Sequence, residues 1–203
     1  GGLKWDNNMI ALFLAVSADG TMDYRKNSYY RKAKADRYIR FAFQKKRKSD
    51  RLINILKALN INYSHSVDAR GYDSICFPCP DWLNSKYLPI DFITKTSIEQ
   101  KKFIIEEMVN WDGNHVNNRN QYEFVTTIKH NADIIQGVAS TCGYMSTIML
   151  KNSGGNKDFK KGFTYKVSVL LGKKNVSTQQ FEKHKKFVDV DKLVYCVTVA
   201  SGM

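Results

Sequence analysis

No apolar run in this chain is longer than eight residues, far short of the ~20 needed to cross a bilayer. No secretory leader is visible, so the expected setting is cytoplasmic, wherever the genome lies. Cysteine is scarce, with four in 203 residues, which suits a reducing compartment. Cys76 and Cys79 have zinc-pair spacing, but zinc wants four ligands. Cys142 and Cys196 make no second pair, and His65, His115, His130 and His184 are scattered. Cys76 and Cys79 therefore read as strand-end residues, with a zinc site as the minor alternative. No Ser/His/Asp arrangement stands out, and Ser153-Gly-Gly-Asn156 is a loop rather than a phosphate-binding motif. Acidic residues are also few: 19 Asp plus Glu face 32 Lys plus Arg, for a net charge of +13. Such an excess on a globular chain points to a polyanion, and nucleic acid is the first candidate.

What is present is a duplicated helical pattern. Met9 to Gly20 begins with eight apolar residues, turns small and polar, and stops at Asp19-Gly20. A helix with no polar interruption is buried on most sides, and Gly20 fits the left-handed position past a helix C-terminus. Asp19 then stands at the negative end of the helix dipole, where an anion is disfavoured. It is either a plain turn residue or one waiting for a cation. Phe103 to Gly113 repeats the pattern and again ends in Asp-Gly, at Asp112. Matched on those pairs, Ala11, Ala15 and Ala18 lie opposite Ile104, Met108 and Trp111. Spacings of four and three put each set on one helix face, and a small face against a bulky one allows close packing. Asp19 and Asp112 then emerge together, where two carboxylates repel unless a metal or proton intervenes.

The rest of the chain repeats an element order. Asp6 caps the first helix. Thr21 to Lys34 is polar and dense in cations and tyrosine, with Arg25, Lys26, Tyr29, Arg31, Lys32 and Lys34. It reads as a solvated loop or as a strand pair laid on a phosphate backbone. Tyr38 to Gln44 alternates, with Ile39, Phe41 and Phe43 on one face and Tyr38, Arg40 and Gln44 on the other, as a DNA-facing sheet would. Arg47 to Asn60 is an amphipathic helix with Leu52, Ile53, Leu56 and Leu59 inward. Two strands follow across 62–77, turning at Gly71, and then a short helix and connector over 81–93. Ser97 with Gln100 makes a capping box for the second motif helix. Strands over 114–127, with Arg119 in the turn, a helix over 132–142 closed by Gly143, and strands over 144–150 and 164–171, carrying Lys166, complete the second half. Trp5, Trp82 and Trp111 read as core anchors. The expectation is an α+β fold of two α-β-β-α-β-β halves, over residues 1–95 and 96–192, joined through their first helices into a saddle with one continuous sheet beneath.

Leu12 to Gly20 resembles the motif of the LAGLIDADG homing endonucleases, and Ile105 to Gly113 resembles its second copy. The family's interior glycine is Leu14 in one copy and Glu107 in the other. Lys86-Tyr-Leu-Pro89, Gln100 and Trp111-Asp-Gly113 resemble endonucleases embedded in inteins, as do Thr126-Thr-Ile-Lys129, Ala132, Asp133, Gln136 and Gly143. Residues 193–203 resemble the strand with which an intein's splicing domain resumes, with Ala200 where inteins usually carry Pro. The splicing nucleophile region and terminal Asn are absent, so the chain is expected to be the nuclease part of an intein, unable to splice alone.

The resemblance implies the same saddle and a site-specific double-strand DNA endonuclease. Asp19 and Asp112 would hold Mg²⁺ or Mn²⁺, as hard carboxylate ligands suit, and Lys86 matches the family's lysine in the first half. Its second-half partner lies among Lys183, Lys185 and Lys186, with Lys185 taken as the candidate. Arg25, Lys26, Tyr29, Arg31, Lys32, Lys34, Tyr38, Arg40, Gln44, Arg119 and Lys166 would contact DNA. The two halves differ where DNA would be read, so a monomer on a long, pseudo-palindromic or asymmetric target is expected. A binding-only relative, such as an intron RNA maturase or a DNA-binding regulator, is the alternative. A basic structural protein with an accidental Asp-Gly repeat is a third.

Overall fold

A computed structural model describes residues 4–24, 37–116, 120–153 and 162–172. The first helix, α1 (Asn7–Asp19), starts where Asp6 accepts the backbone N–H groups of Asn8 and Met9 at 2.8 and 2.9 Å. That satisfies two of the donors a helix start leaves open. Every residue from Met9 to Ser17 is buried. Its six larger apolar side chains contribute about 1.5–3 kcal/mol each by leaving water. No helix among the described residues is long and apolar enough to cross a membrane.

After α1 come β1 (Thr21–Tyr24), β2 (Arg37–Phe43), α2 (Lys46–Ala58), β3 (Ser64–Val67) and β4 (Asp73–Pro78). A short α3 (Asp91–Thr94) then leads into α4 (Ile98–Met108), β5 (Gly113–Val116), β6 (Gln121–Thr126), α5 (Lys129–Thr141), β7 (Met145–Ser153) and β8 (Gly162–Leu170). The expected duplication is therefore present: helix, two strands, helix, two strands, twice. The capping box at Ser97 and Gln100 is formed and opens α4. Gly71 and Gly143 adopt positive φ of 79° and 75° where a hairpin and a helix end need it. Ile134, Ile135 and Val138 of α5 are buried, as their spacing requires.

Four expectations need correction. First, one continuous sheet was expected, but there are two antiparallel four-stranded sheets, ordered β1-β2-β4-β3 and β5-β6-β8-β7. The helices α1 and α4 pack between the halves, so hydrogen bonding between sheets is not required to join them. Second, Gly20 is not left-handed. Its φ of −74° and ψ of 144° are extended, because the chain runs directly from Asp19 into β1. A glycine is needed there for space: a Cβ would lie 2.8 Å from Val16 Cα and 3.1 Å from the Phe41 ring. Gly113 is in the same position in the second copy, with a Cβ 2.7 Å from Val109 Cα. Third, α4 stops at Met108 instead of running to Asp112. Residues 109–111 instead bond three positions back, Trp111 N–H reaching the Met108 carbonyl at 3.1 Å. Fourth, the inward side of α2 is centred differently: Ile55 and Ser49 are buried, while Ile53 and Leu59 are half-buried.

On β2 the alternation holds: Ile39, Phe41 and Phe43 are buried while Arg40 and Ala42 are exposed; Gln44 lies just past the strand, also exposed. Of the expected short helix and connector over 81–93, only Asp91–Thr94 is helical. The connector is nevertheless packed, with Leu83, Leu88 and Phe92 wholly buried. Trp5 and Phe13 meet Phe92 edge-on at 5.2 and 5.8 Å. Trp5 and Trp111 are buried and Trp82 packs partly against the core, in line with their reading as anchors. Cys79 donates its thiol to the Leu83 carbonyl at 2.7 Å, and no cluster of three metal-binding side chains exists among the described residues.

The two uses of glycine separate in a stability experiment. Gly71→Ala meets nothing within 4 Å and should cost about 1 kcal/mol of backbone strain. Gly20→Ala keeps an allowed backbone but drives a methyl into Val16, and should cost about 1–3 kcal/mol. Urea denaturation of both variants checks the order; an equal or reversed cost would overturn the contact argument.

Candidate active site

α1 and α4 bring Asp19 and Asp112 to one place, and a lysine joins them. Lys48 Nζ donates to Asp19 Oδ2 at 2.6 Å and stands 3.7 Å from Asp112 Oδ1. Only 11% of the Lys48 side chain is exposed, against 27% for Asp19 and 38% for Asp112. One ammonium thus offsets the repulsion of two carboxylates in a partly dry setting, where such pairs count for more than on an open surface.

Asp112 bears the residual cost. Partial burial, and then the charge of Asp19, push its carboxyl above the usual range, while Lys48 and Lys86 pull it back. With 38% of the side chain still in water, desolvation is incomplete and the upward push is limited. The influence of Lys86 puts that residue within electrostatic reach of Asp112, but it makes no ion pair with either acid among the described residues.

Lys86 sits on the connector, and its placement depends on Asn131. This wholly buried side chain donates to Ser17 Oγ of α1 at 2.7 Å and to the Lys86 carbonyl at 3.1 Å. It also accepts the Leu88 N–H at 2.9 Å. His130 adds a bond from Nε2 to the Leu88 carbonyl at 2.8 Å. The connector is therefore fastened to α1 and α5 at the residue that carries Lys86.

Asn131 is the third residue of α5, and Lys48 is the third of α2. The same position in the duplication thus holds the connector in one half and the acids in the other. Lys48 belongs to a cationic turn that ties α2 to the second motif. Arg47 donates to the Asn110 carbonyl at 2.9 Å. Arg51 grips Glu107 with two nitrogens, its Nε at 2.8 Å. Glu107, only 1% exposed, also accepts from Trp111 Nε1 at 2.9 Å and Asn110 Nδ2 at 3.2 Å. Glu107, where the motif it resembles carries a glycine, is here a buried carboxylate that orients the turn before Asp112.

Neither Lys48 nor this network was anticipated from sequence, yet a signal existed. Lys45, Lys46, Arg47 and Lys48 crowd the N-terminus of α2, which has no acid in its first turn and no side-chain cap. Cations are disfavoured at that end of a helix dipole, so their concentration there implies a demand from elsewhere. Of the expected DNA contacts, Tyr38 and Arg40 lie on the outward side of β2, and Lys166 pairs with Glu123 on β6. Arg25, Lys26, Tyr29, Arg31, Lys32, Lys34, Arg119 and Lys185 lie outside the described residues.

The paired acids fit a hard divalent cation. Two carboxylates are too few for zinc, but Mg²⁺ commonly takes one or two and fills its shell with water and substrate phosphate. The site is already arranged around positive charge, which Lys48 supplies.

Solved structures show the same architecture. I-DmoI, described as a homing endonuclease, in complex with DNA and Ca aligns with a TM-score of 0.58 at 12% identity, over 81% of this chain and 83% of that one. The fold is that of the LAGLIDADG homing endonucleases. Mesophilic variants of I-DmoI align at 0.57, with 12% identity over 81% of this chain and 89% of that one. Full-length DUF199/WhiA from Thermatoga maritima aligns at 0.53, with 14% identity over 84% of this chain and 53% of that one. No family model matches. In sequence, the chain is 26% identical over 206 residues to a protein of Aquifex aeolicus (strain VF5) named ribonucleoside-diphosphate reductase subunit beta. That match takes in 94% of this chain but only 27% of the relative, so the chain spans about a quarter of its length.

The two acids should respond oppositely when neutralised. A carboxyl with a raised pKa stabilises the fold below its ordinary pKa, and that benefit is lost as pH rises through the folded value. Asp112→Asn should therefore raise Tm by a few degrees at about pH 7 without metal, and the gain should shrink towards about pH 4. Asp19→Asn removes the close partner of Lys48 and should cost about 1–2 kcal/mol. Thermal unfolding in EDTA at both pH values measures this; a stabilising Asp19→Asn would contradict the assigned pairing.

Proposed function

We propose that this chain is a site-specific double-strand DNA endonuclease of the homing type, carried within an intein. The observation that supports it best is the pair Asp19 and Asp112, one from each half, brought within reach of a single ammonium. Folding gains nothing from setting two acids against each other, and Asp112 is placed at a cost. Such costs are usual at functional sites.

In this reading Asp19 and Asp112 hold Mg²⁺ or Mn²⁺. A bound divalent ion supplies neutralisation of phosphate charge and a more acidic water. The protein's own residues do the rest. Lys48 and Lys86 keep positive charge beside the phosphate as negative charge grows on it, and Lys185 is the proposed counterpart in the second half. The net charge of +13 draws the duplex in. The outward sides of the two sheets lie along it, with Arg25, Lys26, Tyr29, Arg31, Lys32, Lys34, Tyr38, Arg40, Gln44, Arg119 and Lys166 as contacts. Because one chain carries both acids, a monomer suffices, and its unequal halves suit an asymmetric target. Residues 1–95 and 96–192 are the two functional halves and 193–203 a splicing-domain remnant, in a cytoplasmic setting. A nuclease unit inserted in a longer protein of other function would also give a match confined to about a quarter of that protein.

One observation favours a binding-only reading instead. Lys48 already occupies the space between the acids and offsets part of their charge, as would suit a scaffold that binds nucleic acid and cuts nothing.

Cleavage of DNA carrying randomised sites, with and without Mg²⁺, separates the two. Cleavage should need the metal, and Asp19→Asn or Asp112→Asn should each lower it by about 10²-fold or more. Affinity in Ca²⁺ should change little and fall steeply with salt, at a log–log slope near −0.9 per phosphate contacted. Metal-independent cleavage, or full activity of either variant, would remove the assignment; binding without cleavage would establish the alternative.

A further inference from the structure

The outward faces of the two sheets differ in chemistry, and the difference names a base. In the second sheet Phe124, Val167 and Val169 are buried against the helices. The pairing Val125–Lys166–Met149 across β6, β8 and β7 is one residue out of step with them, so this row faces away from the core. Met145 and Leu170, both half-buried, are paired on the same side two rows along, beyond the polar row of Glu123, Ser168 and Thr147. Val125 is 42% exposed and Met149 54%. The cation between them, Lys166, is only 18% exposed and shares its charge with Glu123. Counted from Gly20 and Gly113, the matching row of the first sheet is Ala42, Ser74 and Ser66, small and polar.

Two exposed apolar side chains, Val125 and Met149, flanking a paired ion call for an apolar partner surface. They lie on the sheet that follows directly from Asp112-Gly113, continuous with the proposed DNA face. In the major groove of B-DNA the apolar group on a base edge is the 5-methyl of thymine, which pairs with apolar side chains. We infer that the second sheet reads thymine methyl groups, so that the half-site under it is rich in T·A pairs, with Val125 and Met149 as the specificity-determining residues. The inference rests on the DNA-binding reading above. Methionine suits the role because its unbranched chain follows an irregular stack of methyl groups. The first sheet reads its half by hydrogen bonding instead.

Uracil tests the methyl group alone, since it differs from thymine only there. Duplexes are first selected from a random library in Ca²⁺. Thymine is then replaced by uracil in one half-site at a time. In one half the replacement should weaken binding by about fourfold for each methyl group that the sheet had covered; in the other it should do nothing. In Met149→Gln and Val125→Thr, both at exposed positions that spare the core, the uracil penalty should disappear from that same half. Enrichment of a duplex that tolerates uracil in both halves, or a penalty unchanged in the variants, overturns the inference, leaves DNA binding standing and assigns the patch to a protein partner. Failure to enrich any duplex overturns the DNA-binding reading and this inference together.

Discussion

The arrangement depends on keeping two carboxylates together, and the first turn of α2 is what makes that tolerable. Two of its cations reach away from their own helix, Lys48 to Asp19 and Asp112 and Arg47 to the Asn110 carbonyl, and Arg51, one turn on, reaches Glu107. Arg47 and Lys48 sit where their own helix dipole opposes them, and all three cations are offset by acceptors on another element. α2 thus serves less as a shell over the core than as a clamp across the ends of the two motif helices. Without the clamp, the turn carrying Asp112 would be held by short-range bonds after α4 ends and by the Val125 N–H donated to the Asp112 carbonyl at 3.2 Å.

The duplication is exact in element order and unequal in detail, and the inequalities gather at the site. One motif stays helical to its aspartate, whereas the other leaves the helix at Met108. Equivalent third residues of α2 and α5 became a lysine that binds acids and an asparagine that binds a connector. The connector carrying Lys86 is fixed to α1 and α5 by Asn131 and His130. A charged centre built from unlike parts follows from a fold that is nearly symmetric.

Much of the fold was legible because it rests on local rules. The alternation of Ile39, Phe41 and Phe43, the capping box at Ser97, and the spacing of Ile134, Ile135 and Val138 each depend on a few neighbouring residues. Asp19 and Asp112 were legible as a pair because a repeat makes a weak signal count twice. Gly20 was noticed for the wrong reason: a glycine after a helix suggests a left-handed turn, while the contact with Val16 and Phe41 that demands it appears only once β2 is folded against α1.

The sequence by itself determined the order of elements, the cationic excess, the buried first helix and the two Asp-Gly ends, since composition and periodicity are properties of the chain. Only the tertiary structure decided that the sheets are separate, that Lys48 is the residue between the acids, and that Glu107 is a buried partner of Arg51. The reason is distance along the chain. Lys48 lies far from both Asp19 and Asp112 in sequence, and no local pattern records which of many lysines a fold will draw into its interior. Burial, which sets the strength of that ion pair and the raised pKa of Asp112, exists only after the helices have packed.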